Sequence, residues 1–138
     1  MVSYCNFLSK PYHNDIATEG RQTAIEVGIM KAVVLYITCA NEDEARTIGR
    51  TLVCERLVAC INILAPIQSL FWWNDEIQEE TETAFLAKTL IENVENVIER
   101  VNQLHSYDCP CVISMPIEKG NPNYLKWIEE ETKKADFS

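Results

Sequence analysis

Ser69 to Lys88 reads SLFWWNDEIQEETETAFLAK, and the fold is decided by reading it as the tip and returning arm of a long β-hairpin. The stretch before the tip, Ala59 to Trp73, carries Ile61, Ile63, Ile67 and Phe71. After it, Ile77 to Leu90 alternates Thr, Ala and Phe with polar residues. Both sides thus have strand composition. Asn74-Asp75 is the turn dipeptide, since both side chains tolerate the backbone angles of a two-residue connection. Arms of about 12 to 15 residues exceed the usual ~5 to 6 of a strand, so the hairpin should project beyond a small core. A projecting tip bearing Phe71, Trp72 and Trp73 needs a partner, which makes self-association the first expectation.

The remaining elements follow on either side. Ala32 to Cys39 (AVVLYITC) is a short apolar run without clean alternation, as in a strand covered on both faces. Asn41, with Glu44 three residues on, forms a capping-box pattern. A helix then runs to about Arg56, presenting Ala45, Ile48, Leu52 and, at the stripe's edge, Val53. Leu57 to Ala65 returns as a strand that Pro66 interrupts, because proline donates nothing to a ladder. Val94, Val97, Ile98, Val101 and Leu104 mark a second helix, capped by Asn93 or a neighbour. His105 to Pro110 is a loop, Cys111 to Ile117 a strand, and Asn121-Pro122 opens a terminal helix carrying Tyr124, Leu125, Trp127 and Ile128. Strand, helix, strand, strand, helix, strand and terminal helix make an α+β chain of the ferredoxin-like split βαβ type: an antiparallel sheet with helices on one face. The second face must be solvated or covered by neighbouring subunits.

With 138 residues the chain is one domain. Residues 1–30 lack sustained periodicity and are read as a flexible extension; 31–138 form the domain. The net charge of −9 argues against nucleic acid and anionic membranes, which select basic surfaces. No stretch approaches the ~18 apolar residues of a membrane span. The opening MVSYCNFLSKPYHNDIATEG lacks the apolar run of a signal peptide, so the expected location is the cytoplasm. There the thiols should stay reduced, and Cys39, Cys54 and Cys60 are expected to be small buried residues.

TCANEDEA (38–45), ERLVACIN (55–62), SLFWWNDEI (69–77), FLAKT (85–89), HSYDCP (105–110) and GNPNYLKWI (120–128) together resemble the CutA divalent-cation tolerance family, in order and in register from about residue 32 onward. The resemblance implies a tight homotrimer in which long hairpins pair across subunits, a fold similar to the PII signalling proteins, and a link to copper and other divalent metals. It implies no catalytic activity. A PII-like module binding a small anionic ligand between subunits is the alternative.

His105 is the leading metal candidate, a solvent-edge imidazole suited to copper(II) or zinc; a C-terminal capping role competes with it. Cys109 and Cys111 offer soft donors suited to copper(I), although one such pair lacks the second ligand pair of a closed zinc site. The chain departs from copper-associated bacterial relatives, which resemblance would furnish with a cysteine at Ile37 and a second histidine at Leu104. It also has Cys111 where the family carries glutamate after Pro110. Lys88 is expected in an inter-subunit cleft walled by Trp73, Tyr107, Tyr124 and Trp127; a snorkelling lysine paired with a neighbour's glutamate is the competing reading. Acylphosphatases share this topology, but the turn after strand 1 (Thr38 to Glu42) offers an acid where they need glycines and an arginine. The C-x-x-C of copper chaperones is missing there too.

Overall fold

The computed structural model describes residues 31–133; the extension assigned to residues 1–30 lies outside them. Nine elements follow in order, one of them a 3₁₀ turn at Ile91–Asn93. The strands are β1 (Ala32–Cys39), β2 (Cys60–Ile63), β3 (Ile67–Trp73), β4 (Glu76–Leu90) and β5 (Val112–Pro116). The helices are α1 (Glu42–Cys54), α2 (Val94–Leu104) and α3 (Pro122–Lys133). All pairings are antiparallel, in the order β2-β4-β1-β5, with β3 on the outer half of β4.

β4 is the spine. Its 15 residues pair with β3 over Glu76–Glu82, with β2 over Phe85–Lys88 and with β1 over Thr83–Leu90. The turn is the expected one: Asn74 and Asp75 both take positive φ, 51° and 62°, the primed geometry whose twist matches the flanking strands. Pro66 falls in the gap between β2 and β3, and Leu64 N–H still reaches Ala84 O at 2.9 Å across it. Strand β2 starts later than the expected Leu57. Residues 55–58 are used instead to end α1, with Arg56 at φ 61°, Arg56 N–H on Val53 O and Leu57 N–H on Leu52 O, both 3.0 Å. This is a Schellman closure with arginine at the position glycine prefers.

The helix starts divide. Asn41 Oδ1 accepts Glu44 N–H at 2.8 Å, while Glu44 Oε1 reaches past the cap to Ala40 N–H at 3.2 Å. Asn93 does not cap α2 with its side chain; its amide donates to Thr89 Oγ1 at 3.0 Å, and the 3₁₀ turn leads into the helix.

Alternation along the strands separates the two sheet faces. Leu35 and Ile37 of β1 stand beside Ala87 and Phe85 of β4 and face α1 and α2, where Ala45, Ile48, Leu52, Val97 and Val101 complete the core. The opposite face carries Val34, Tyr36, Leu86, Lys88, Ile113 and Met115 by register. One end of it is covered, contrary to the expectation of a face without a helix of its own. Ile128 of α3 packs with Ala32 and Leu90, and Tyr124 Oη lies 3.4 Å from Cys60 Sγ. Ile113 and Met115 remain exposed, as do Leu70, Trp72 and Ile77 on the hairpin. No helix among the described residues is long and apolar enough to cross a membrane.

Candidate functional site

The end of β1, the start of α1 and the loop after α2 meet at His105. Its imidazole is fully buried, not at the solvent edge as expected, and both ring nitrogens are engaged. Nε2 lies 2.8 Å from Thr38 O, and Nδ1 accepts Tyr107 N–H at 3.0 Å. Since a carbonyl only accepts, Nε2 carries the proton and the ring is the neutral tautomer. His105 N–H closes the last turn of α2 on Val101 O, so the residue ends the helix with its backbone while its side chain holds β1.

Glu44 is the neighbour on α1. Its Oε1 stands 3.6 Å from His105 Nδ1, and its Oε2 accepts Ser106 N–H at 3.3 Å. Burial alone would raise its pKa; the hydrogen bonds from Ser106 and Ala40 outweigh this and hold the carboxyl below its usual value. Cys39, the last residue of β1, closes the group, with ligand atoms of Cys39, Glu44 and His105 all within 4.8 Å of one another. Burial, then Glu44 and Glu82, push the Cys39 thiol up to about 12.

On the other sheet face the hairpin and the 106–111 loop enclose a cleft of about 610 Å³, with Tyr36, Phe71, Trp73 and Tyr107 as aromatic walls and Glu80, Glu82, Asp108, Cys109 and Cys111 as donors. Tyr107 crosses between the two regions. Its amide serves His105, and its hydroxyl donates to Glu82 Oε2 at 3.1 Å. Burial first, then the Glu82 carboxylate, push the phenol up to about 12, so Tyr107 stays a donor. Cys109 is exposed and Cys111 half-buried. Burial raises the Cys111 thiol despite a hydrogen bond with Thr38.

The candidate residues thus divide. Cys109 and Cys111 face the cleft, while His105 lies behind it beside Cys39 and Glu44. Trp73 and Tyr107 line the cleft, but Lys88 does not join them within a protomer. It pairs with Val34 and Cys60, six residues along β4 from Glu82, which is about 20 Å at ~3.3 Å per residue. Its ammonium donates to Asn62 Oδ1. Tyr124 and Trp127 stack on each other at 5.6 Å on α3, against the Ala32–Leu90 end. An anion-holding cleft is therefore not assembled in one chain. The walled cleft that does exist is acidic.

The profile of the family described as "CutA1 divalent ion tolerance protein" matches residues 33–131. The chain belongs to that family. The Divalent-cation tolerance protein CutA of Thermus thermophilus is 43% identical over 103 residues, covering 75% of this chain and 99% of that protein. The Archaeoglobus fulgidus protein of the same description is 42% identical over 96 residues, covering 70% and 93%. With the Protein CutA homolog of Xenopus laevis identity is 42% over 93 residues, 67% of this chain and only 62% of the longer relative. Among solved structures, that of the periplasmic divalent cation tolerance protein CutA from Archaeoglobus fulgidus superposes with a TM-score of 0.71 at 40% identity, covering 73% of this chain and 98% of that one.

In this CutA1-family chain the sequence reading missed Cys39 and Glu44 as companions of His105. The capping-box spacing already marked Glu44 as a side chain turned back toward the end of β1. What the sequence lacked was the position of α2, whose last residue is His105.

Proposed function

We propose that the protein is a divalent-cation tolerance protein of the CutA type, a binding protein with no catalytic activity, working as a ferredoxin-like homotrimer in the cytoplasm without nucleic-acid or membrane partners. It takes copper(II) or another divalent cation in the cleft between the hairpin and the 106–111 loop. The observation that carries this reading is the gathering of Glu80, Glu82, Asp108, Cys109 and Cys111 on one walled cleft in a chain of net charge −9. Carboxylates concentrate cations electrostatically, and thiols add softness that favours copper over calcium or magnesium. Association is supported by Leu70, Trp72 and Ile77 on the hairpin and Ile113 and Met115 on β5, all exposed. The described cysteines are all unpaired, in keeping with a reducing compartment.

Calorimetric titration of copper(II) and zinc, with ATP as an anionic control, tests the reading. Saturable copper binding weakened in the Cys109→Ser/Cys111→Ser variant, and no ATP binding, is expected. Copper binding indifferent to that variant, or ATP binding lost in Lys88→Ala, would overturn it. Light scattering should give about three times 15.8 kDa.

A further inference from the structure

We propose that Cys39, Glu44 and His105 form a buried three-ligand site for a borderline divalent cation of the zinc class, separate from the cleft and built where β1 ends, α1 begins and α2 stops. The three donors come from three different elements, yet their ligand atoms lie within 4.8 Å of one another. A tetrahedral zinc ion holds its ligands at about 2.0 to 2.3 Å, and so about 3.5 Å from each other. The Glu44–His105 edge, at 3.6 Å, already has that length. Closing the thiol onto the ion shortens its separation from the other two donors by about 1.3 Å at most.

The surroundings fit an ion as well as the distances do. His105 is oriented from behind by Nε2–H on Thr38 O at 2.8 Å, the backbone-carbonyl support by which ligating imidazoles are usually aimed. That leaves the Nδ1 lone pair toward Glu44, where it accepts only the Tyr107 amide. Chain ligands of the cysteinate, carboxylate, neutral imidazole type carry two negative charges, so a divalent ion makes the buried site neutral. On binding, the Cys39 S–H bond breaks, a sulfur–metal bond forms and the proton leaves to solvent. No electrons move, in keeping with a redox-inert ion of the zinc class. Glu44 and exposed Ser106 give the entry side, and a water from there fills the fourth position. Binding exchanges the Tyr107 amide for the ion at Nδ1, so an occupied site releases the residue whose hydroxyl holds Glu82 in the cleft.

Cobalt(II) titrated into the chelator-stripped full chain carrying Cys109→Ser/Cys111→Ser, which removes the cleft thiols, tests this, because thiolate ligation gives a near-ultraviolet charge-transfer band and tetrahedral geometry intensifies the visible bands. One cobalt per protomer, displaced by zinc, with about one proton released per ion, is expected. Cys39→Ser should abolish the charge-transfer band, and Glu44→Gln, which keeps the side chain's length, should weaken binding by about tenfold or more. Circular dichroism confirms that each variant is folded. A band that survives Cys39→Ser in that background, or never forms there before this change, would overturn the site. The copper titration of the cleft is read separately, so either assignment can fail alone.

Discussion

Arg56 ends α1 in a conformation that glycine adopts freely and other residues adopt at a cost of about 1 kcal/mol. Its φ of 61° is kept because the side chain reaches α3. Nη1 bonds Glu131 Oε2 at 2.8 Å and the Glu131 carbonyl at 3.2 Å, placing a cation on the last turn of that helix. The pair is about one-third exposed on the arginine side, which sets its contribution near 1 kcal/mol rather than the larger value of a buried pair. Arg56→Ala removes the tether and keeps the backbone strain, so it should cost about 1 kcal/mol. Arg56→Gly removes both and should be nearly neutral. The glycine variant should then exceed the alanine variant by about 1 kcal/mol, or about 0.5 M in urea midpoint at a slope of ~2 kcal/mol per molar. Protomer concentration must be fixed, since association would contribute to apparent stability. An alanine variant as stable as the glycine variant would refute the helix-closure argument. A loss above about 3 kcal/mol in both would mean that the tether, not the backbone, dominates.

Other expectations concern the hairpin, the core and Tyr107. Asp75→Gly should stabilise the turn by about 0.5 to 1 kcal/mol, because glycine meets the positive φ there without strain; a fall in thermal midpoint would count against the primed turn. Trp72→Ala with Ile77→Ala removes side chains that are 71% and 63% exposed in the protomer, so the proposed trimer should dissociate at higher concentration in light scattering while circular dichroism is unchanged. An undiminished trimer would move the interface elsewhere. Phe85→Ala, at a fully buried position between α1 and the sheet, should cost about 3 to 5 kcal/mol in denaturant unfolding. Tyr107→Phe should cost about 1 kcal/mol at neutral pH through the lost hydrogen bond to Glu82. Because the folded phenol is raised from 10.0 to about 12, its contribution is complete below pH 10 and is lost as pH rises toward 12. The wild type should therefore decline more steeply over that window than the variant, and parallel curves would contradict the assignment.

Much of the fold was legible because its signals are local. Asn74-Asp75, Pro66, the Asn41 cap and the Pro122 start each act within a few residues, and each fell where its chemistry placed it. The end of α1 was harder to read, since nothing in the sequence around Arg56 announces a left-handed residue; the compensating partner, Glu131, is 75 positions away. The same limit governed the site. His105 was visible as chemistry, but its burial depends on β1 supplying Thr38 O from 67 positions earlier. Within one protomer, Lys88 shows the converse limit. FLAKT reads as one unit with the cleft residues, yet β4 is long enough to carry its two ends to different parts of the molecule.

That length gives β4 a property no other strand here has. Its outer half, Glu76–Glu82, is held only by β3 in a two-stranded ribbon, while Phe85–Lys88 lie between β1 and β2 under the helices. Amide exchange along this one continuous strand should therefore run from fraying at Glu76 to whole-molecule unfolding at Ala87, a graded scale of local stability read from neighbouring amides. Trimer assembly would compress that scale from the tip inward, so the same fifteen residues would record how far each subunit's hairpin is gripped by its neighbours.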